Sequence, residues 1–374
     1  MLKKIIKILY KLTLWRVTSF IPKKENLIIV GAWYGKQYKD NSKAVFLKLI
    51  ESSSYETYWI TKDRDLAKKI PKGLYYHSIK GIIVQIRAGI ILYSMSVEDD
   101  FSSTLIPRNR CFINLWHGMP IKKIGIDKGD NDFGHKTKLM KLWYEFSFKY
   151  LSYRPTFMLA NSFWDKKIYQ SAFNLPSSNV IELGLPRNDD IDMDDLNSCK
   201  GKILFAPTFR ENTCDISYFD AKDLSIINRV CLSKNYSFFI RLHPSVDLDS
   251  NLLSEINNFD AISFSTEKEV NINDYELLIT DFSGMVFDFI YCSKPIAFID
   301  IDYDGYILNE RELYVDVKDK FSQHFYDDWL KLFEYIAKNE LQTMNSCLYF
   351  KDFHYYSDGL SSKRVVDFIE SIND

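Results

Sequence analysis

The sequence predicts an α/β protein made of two doubly wound, Rossmann-like parallel-sheet domains that face a cleft, preceded by an amphipathic helix. Three observations predict this. Short apolar runs alternate with helical patterns almost from end to end, and such alternation produces parallel strands covered on both faces. The alternation breaks once, at 188–200, where seven residues are Asp or Asn. The 374 residues suit about two domains at roughly 150 residues each.

In the first half the apolar runs place strands at 27–30, 57–60, 90–93, 112–115, 157–160 and 180–183. In the second half they place strands at 202–206, 237–241, 261–264, 276–280 and 296–299. Helical spacing is read at 42–51, 162–172 and 283–291, and a terminal helix near 363–372 is expected to cross back and brace the first domain. The domain plan is an amphipathic basic segment at 1–24, an acceptor-side domain at 25–190, a donor-binding domain at 200–350 and the crossing helix within 351–374.

Composition narrows the function. Hydrophobic residues at 46% and charged residues at 26% are those of a folded globular chain and exclude disorder. A net charge of −2 supplies no basic field, so nucleic acid is not an expected partner. The six cysteines form no CxxC pair; Cys111, Cys231 and Cys292 lie in or beside apolar runs, as free thiols of a reducing cytosol do. No uncharged apolar run approaches 18 residues, so no bilayer-spanning helix is expected. Residues 1–24 carry seven cations and no acid, and Leu2, Ile5, Ile6, Leu9, Leu12 and Val17 recur at helical spacing with Trp15 near the end. Such a helix lies in an anionic membrane interface or packs on its own domain. The expected location is peripheral, on the cytoplasmic face of the membrane.

Four strand ends carry the chemistry, and in open α/β sheets ligands bind at the carboxyl ends of strands. Trp116-His117-Gly118-Met119-Pro120-Ile121-Lys122-Lys123 follows the strand at 112–115. His117 there can take a proton from an attacking hydroxyl, Gly118 leaves room for substrate, and Lys122 and Lys123 add positive charge. Arg241 and His243 end another strand and alternate by two, so both face one side and suit a phosphate. Thr208 and Arg210 follow a third, offering a hydroxyl and a planar fork. Thr280-Asp281-Phe282-Ser283-Gly284 runs from strand to helix, with Ser283 near an anion-binding helix N-terminus. Asp300, Asp302 and Asp304 form a carboxylate cluster read as a solvated loop. No nucleotide-binding glycine fingerprint occurs, and no metal or cofactor is expected.

Taken together, LWHGMPIKKIG, APTFR, RLHP and ITDFSGMVFDFIYCSKPIAFIDID, in this order, resemble the CDP-glycerol glycerophosphotransferase family, which includes teichoic acid primases and polymerases and capsule polyol-phosphate transferases. GAWYGKQYKDNSKAVF, with Asp40 and Asn41, and DGLSSKR, with Ser361 and Ser362, extend the likeness from about Gly31 to the C-terminus. The resemblance implies a GT-B fold and a CDP-polyol donor in the C-terminal domain. It implies a lipid-linked or polymeric polyol-phosphate or saccharide acceptor at the inner leaflet. It gives His117 and His243 the catalytic roles and Arg210 the donor phosphate. Thr208, Arg241, Thr280, Asp281, Ser283, Gly284, Ser361 and Ser362 join it there, while Asp40, Asn41, Gly118, Lys122 and Lys123 fall on the acceptor side. Gly284 replaces the second serine of the family's motif, and Met119 stands where the family carries threonine. The expected reaction is transfer of glycerol phosphate or ribitol phosphate to a hydroxyl, with release of CMP. The rivals are a nucleotide-sugar glycosyltransferase of the same fold and a non-catalytic membrane-peripheral scaffold.

Overall fold

A computed structural model describes residues 12–51, 54–128, 152–191, 201–210, 218–242, 250–265 and 270–372. The chain divides into two compact units. Among the described residues, one takes in those up to Gly118, those from 152 to 190 and those from Tyr355 onward; the other takes in 119–128 and the stretch from 191 to 354.

The first unit holds seven strands: β1 (Lys24–Val30), β2 (Glu56–Thr61), β3 (Gly73–Tyr75), β4 (Ala88–Tyr93), β5 (Cys111–Asn114), β6 (Phe157–Ala160) and β7 (Val180–Glu182). They form one sheet in the order β3-β2-β1-β4-β5-β6-β7, every pair parallel. Chain order reverses between β1 and β4, which makes that pair the topological switch point. Burial explains the sheet. Ile28 and Val30 enter one core with Val45, Phe46 and Leu49, and the alternate residues Leu27 and Ile29 enter another with Val84 and Ile91. A strand apolar on both sides is stable only with helices on both faces.

The second unit repeats the plan with β8 (Lys202–Phe205), β9 (Ser237–Ile240), β10 (Ile262–Phe264), β11 (Leu277–Thr280), β12 (Ile296–Ile299) and β13 (Phe325–Tyr326). Their order is β10-β9-β8-β11-β12-β13, again all parallel, with the switch between β8 and β11. Helices Ala221–Lys234 and Trp329–Lys338 pack Leu224, Ile227, Leu332 and Phe333 onto Ile203 and Phe205. The expected α/β class, with two parallel sheets, is the observed one.

Three local differences have clear causes. β3 and β13, too short to show periodicity, were not legible; they form because β2 and β12 offer them a paired edge. The helix expected from 283 begins at Val286 and runs to Tyr291, with no side-chain cap at Met285, because Ser283 and Gly284 are spent in the turn that precedes it. The terminal helix, Ser361–Ser371, buries Val365, Val366 and Ile369 in the first unit's core beside helix Asp40–Glu51.

The N-terminal stripe divides. Leu2, Ile5, Ile6 and Leu9 lie outside the described residues, while residues 12–19 are helical and packed through Trp15, not through Leu12 and Val17. Trp15 donates from Nε1 to the Ser103 carbonyl at 2.8 Å, lies 5.0 Å edge-on from the Tyr153 ring, and is covered by the Arg108 guanidinium at 4.5 Å. Leu12, Val17 and Phe20 are exposed. No helix among the described residues is long and apolar enough to cross a membrane. Cys231 and Cys292 are buried free thiols, each pushed up to about 12 by burial; Cys111 is half-buried.

Candidate active site

In the first unit the site grows from the end of β5. The Asn114 side chain accepts from Trp116 N at 2.8 Å, which turns the chain and sets Trp116 at φ 53°, so that His117 leaves the strand line. The imidazole stacks on the Trp116 ring at 4.4 Å and meets the Trp33 ring edge-on at 5.5 Å. Its Nδ1 lies 3.1 Å from the Ser94 carbonyl oxygen, at the end of β4. A carbonyl only accepts, so Nδ1 carries the hydrogen and Nε2 presents its lone pair. Burial lowers the imidazole pKa from its ordinary 6.5, as do Arg187 and Lys39; the Ser94 carbonyl and Asp40 act the other way. The net result is a neutral, half-buried imidazole at the β1/β4 switch point, able to take a proton near pH 7.

Around it stands a scaffold that the motifs did not announce. Arg187, in the turn after β7, donates from Nη1 to the His117 carbonyl at 3.1 Å and pairs with Asp40 at 3.5 Å. Trp33 donates from its indole to the other oxygen of Asp40, and the Lys39 ammonium sits 4.2 Å over the Trp33 ring. Asp40 therefore sits beside His117, whereas the Asn41 side chain is turned into the protein. Asn41 is fully buried, donating to the Leu115 carbonyl at 2.8 Å and accepting from Arg187 N at 3.1 Å. Its side chain ties three strand-end loops together. The sequence signal for Arg187 was available: Gly184-Leu185-Pro186-Arg187 is a polar turn directly after an apolar strand, like the four motifs.

Gly118 is fixed by geometry. Its φ is 136°, and a Cβ there would lie 3.2 Å from both terminal nitrogens of Arg187. Gly118→Ala is expected to destabilise the protein by about 1–3 kcal/mol and to displace Arg187, lowering turnover as well. Denaturation and kcat measured together check this; a variant with wild-type stability and turnover would show the contact to be unimportant. Lys122 and Lys123 belong to the second unit, where Lys122 bridges Leu313 through its backbone and the Lys123 ammonium pairs with Glu312.

The second unit's groups gather at its own switch point. Thr280 Oγ1 donates to the Ala206 carbonyl at 2.7 Å, joining the ends of β8 and β11. Asp281 accepts from Thr208 N at 2.8 Å and from Phe282 N at 2.6 Å. Both Thr280 and Asp281 are fully buried, and their bonds brace the ends of β8 and β11 from beneath. Arg210 is the larger surprise. Its side chain is 2% exposed; Nη1 lies 3.2 Å from Asp281 Oδ2 without the alignment of a hydrogen bond, and Nη2 donates to the Ile301 carbonyl. Phe282 and Tyr306 flank the guanidinium at 5.7 and 5.3 Å. What remains half-exposed at this edge is Ser283, Gly284 and Arg241, while the Thr208 hydroxyl is buried and has no hydrogen-bond partner among the described residues. His243 lies outside the described residues. Gly284 and Met119, read in sequence as departures from the family's motifs, meet: a Cβ at 284 would lie 3.0 Å from the Met119 carbonyl.

Ser361 and Ser362, expected at the donor phosphate, are committed through their backbones. They start the terminal helix in the first unit, and their backbone N–H groups already hold an anion, the Asp189 carboxylate, at 2.9 and 2.6 Å. The Asp300 and Asp302 carboxylates are likewise committed: Asp300 pairs with Lys318 at 2.8 Å, and Asp302 caps helix Tyr303–Asn309.

Two all-parallel sheets, one with an imidazole at its switch point and one with hydroxyl and cationic groups at its own, define the class: a two-unit α/β protein with its polar groups at the strand ends. The sequence pattern described as CDP-glycerol:poly(glycerophosphate) glycerophosphotransferase matches residues 13–371, and the chain belongs to that family. It is 28% identical to the teichoic acid poly(glycerol phosphate) polymerase of Bacillus spizizenii, over 94% of each chain. It is 26% identical to the teichoic acid glycerol-phosphate transferase of Staphylococcus aureus, over 94% of this chain and 95% of that one. The solved structure of the wall teichoic acid polymerase TagF shares the fold, with a TM-score of 0.75 at 20% identity, covering 98% of this chain and 92% of that one.

Proposed function

We propose that this protein transfers a polyol phosphate, glycerol phosphate or ribitol phosphate, from a CDP-activated donor to a hydroxyl of a teichoic-acid-like polymer or its lipid-linked precursor. The observation that carries the reading is the His117 imidazole, held as the Nδ1–H tautomer with Nε2 presented at a strand-end switch point. Family membership supplies the donor class. Relatives named for glycerol phosphate and for ribitol phosphate both support a polyol.

In the proposed step, the acceptor hydroxyl oxygen attacks the phosphorus that bears the polyol. Its proton passes to His117 Nε2 and a phosphodiester bond forms. The bond from that phosphorus to the bridging oxygen breaks, and CMP leaves with the electron pair. Thr208, Ser283, the Gly284 N–H and Arg241 hold the donor pyrophosphate, and His243 assists the charge that develops on it. Arg210 contributes its positive charge from beneath, shared with Asp281. Asp40 and Lys39 line the acceptor side beside His117. Purified protein should release CMP from CDP-glycerol or CDP-ribitol once an acceptor is present. Turnover of a UDP-sugar, with none of either CDP-polyol, would overturn the assignment in favour of a glycosyltransferase.

The reading includes a peripheral place on the inner leaflet, supported by four lysines within residues 1–11, worth about 1 kcal/mol each near an anionic surface. Because Trp15 is part of the first unit's packing, the informative deletion stops before it. Full-length protein is expected to float with vesicles containing anionic lipid at low salt and to be released at high salt, whereas protein lacking residues 1–11 stays behind. Equal flotation of both, or of neither, would remove the membrane role of this segment.

A further inference from the structure

Asp100 is a fully buried carboxylate that the reaction does not use. It ends the four-residue helix Val97–Asp100, which follows β4 and is capped by Ser96. Both of its oxygens are occupied. Oδ2 accepts from Ser94 N and from Met95 N, each at 3.0 Å, and Oδ1 accepts from Tyr34 N at 2.9 Å. The carboxylate thus bridges the loops after β1 and β4, the two strands that flank the switch point. Burial pushes its carboxyl up to about 6, and the three N–H donors oppose the rise; at neutral pH it is an anion.

Each loop it holds touches His117. Ser94 is the residue whose carbonyl receives the Nδ1 hydrogen. The β1 loop presents the Trp33 ring to the imidazole and does so in an unusual backbone: Trp33, Tyr34 and Gly35 have φ of 48°, 61° and 69°. Two successive non-glycine residues in the left-handed region persist only where surroundings hold them. Here the holding contacts are Asp100 on Tyr34 N and Ser94 Oγ, which accepts from Trp33 N at 3.3 Å.

We infer that Asp100 is a positioning residue for the transfer: by clamping the Ser94 and Tyr34 backbones it aims the Ser94 carbonyl at His117 Nδ1 and so fixes the tautomer that leaves Nε2 as the base. This rests on the reading of His117 as the base, but the clamp makes a claim about the imidazole that is measurable without turnover. A carboxylate has two acceptor oxygens and an amide only one. In Asp100→Asn, whichever way the amide turns, its NH2 faces a backbone N–H, and one side of the clamp opens.

The experiment combines kinetics with imidazole 15N spectroscopy on histidine-labelled protein. Wild type should show His117 as the Nδ1–H tautomer at neutral pH. Asp100→Asn should show a mixture of tautomers and a kcat lower by about tenfold or more, with the KM for CDP-polyol within about twofold of wild type. An Nε2–H tautomer in wild type overturns the proposal. So does a variant that keeps both turnover and tautomer, or one that loses turnover with the tautomer unchanged. If the variant does not fold, wild type alone still decides. Slow hydrogen exchange at the Tyr34, Ser94 and Met95 amides together with the Nδ1–H tautomer supports the clamp; fast exchange at these amides overturns it. If His117→Ala keeps turnover, the base reading fails while the tautomer measurement still judges Asp100.

Discussion

His117→Ala is expected to lower kcat by about 10²-fold or more without unfolding the first unit, which is the usual scale for loss of a general base. The substitution removes a half-buried ring that stacks on Trp116, meets Trp33 edge-on and makes one hydrogen bond, so the sheet beneath it keeps its packing. The wild-type pH profile should carry the same information. Because burial lowers the imidazole pKa from 6.5, the base form is already dominant at neutral pH. The acid limb of kcat/KM should therefore fall below pH 6.5, with a plateau above it. In His117→Ala that limb should disappear along with most of the rate. Near wild-type turnover in a folded variant, or an acid limb that persists unchanged, would reject His117 as the base.

Arg210→Ala is expected to act first on stability and only then on donor binding. The guanidinium and the Asp281 carboxylate are both buried, and removal of one partner leaves the other as an uncompensated charge, typically at a cost of about 3–5 kcal/mol. The loss should exceed that of a truncated arginine on the surface, because the contacts with Phe282, Tyr306 and the Ile301 carbonyl go as well. Denaturant unfolding of the second unit checks the size. The double change Arg210→Met with Asp281→Asn should recover much of the stability, since no lone charge is then buried, but not full turnover, since the site loses its positive charge. If Arg210→Ala keeps wild-type stability and only donor affinity falls, the side chain reaches the phosphate directly and the buried-pair reading is wrong.

Gly284 and Met119 are coupled through the backbone. A serine there needs the Met119 carbonyl to move from 3.0 Å, so the glycine and the backbone path at 119 are a matched pair. That match was invisible while the two positions were read as separate substitutions in separate motifs.

What the sequence determined by itself is set by local physics. Apolar runs such as Ile28-Ile29-Val30 and Leu277-Leu278-Ile279, bounded by polar turns, fit strands buried on both faces, and helical spacing between them fits parallel sheets, as observed. Polar turns after those strands marked His117, Thr208 and Ser283 before any contact was known, because ligand sites of such sheets lie at strand carboxyl ends. Tertiary structure decided what each polar residue in those turns does. Asn41, Thr280, Asp281 and Arg210 read in sequence as groups for a ligand, yet burial commits each to its neighbours. Ser361 and Ser362 look like an anion site, and the anion is Asp189, 172 and 173 residues away in the chain. Asp100 carries no motif and Arg187 only a turn after a strand, and the folding of β1, β4, β5 and β7 into one sheet brings them around His117. Periodicity reports which side of an element faces a core. Which partner a buried polar group meets depends on contacts between distant segments, and these exist only in the folded chain.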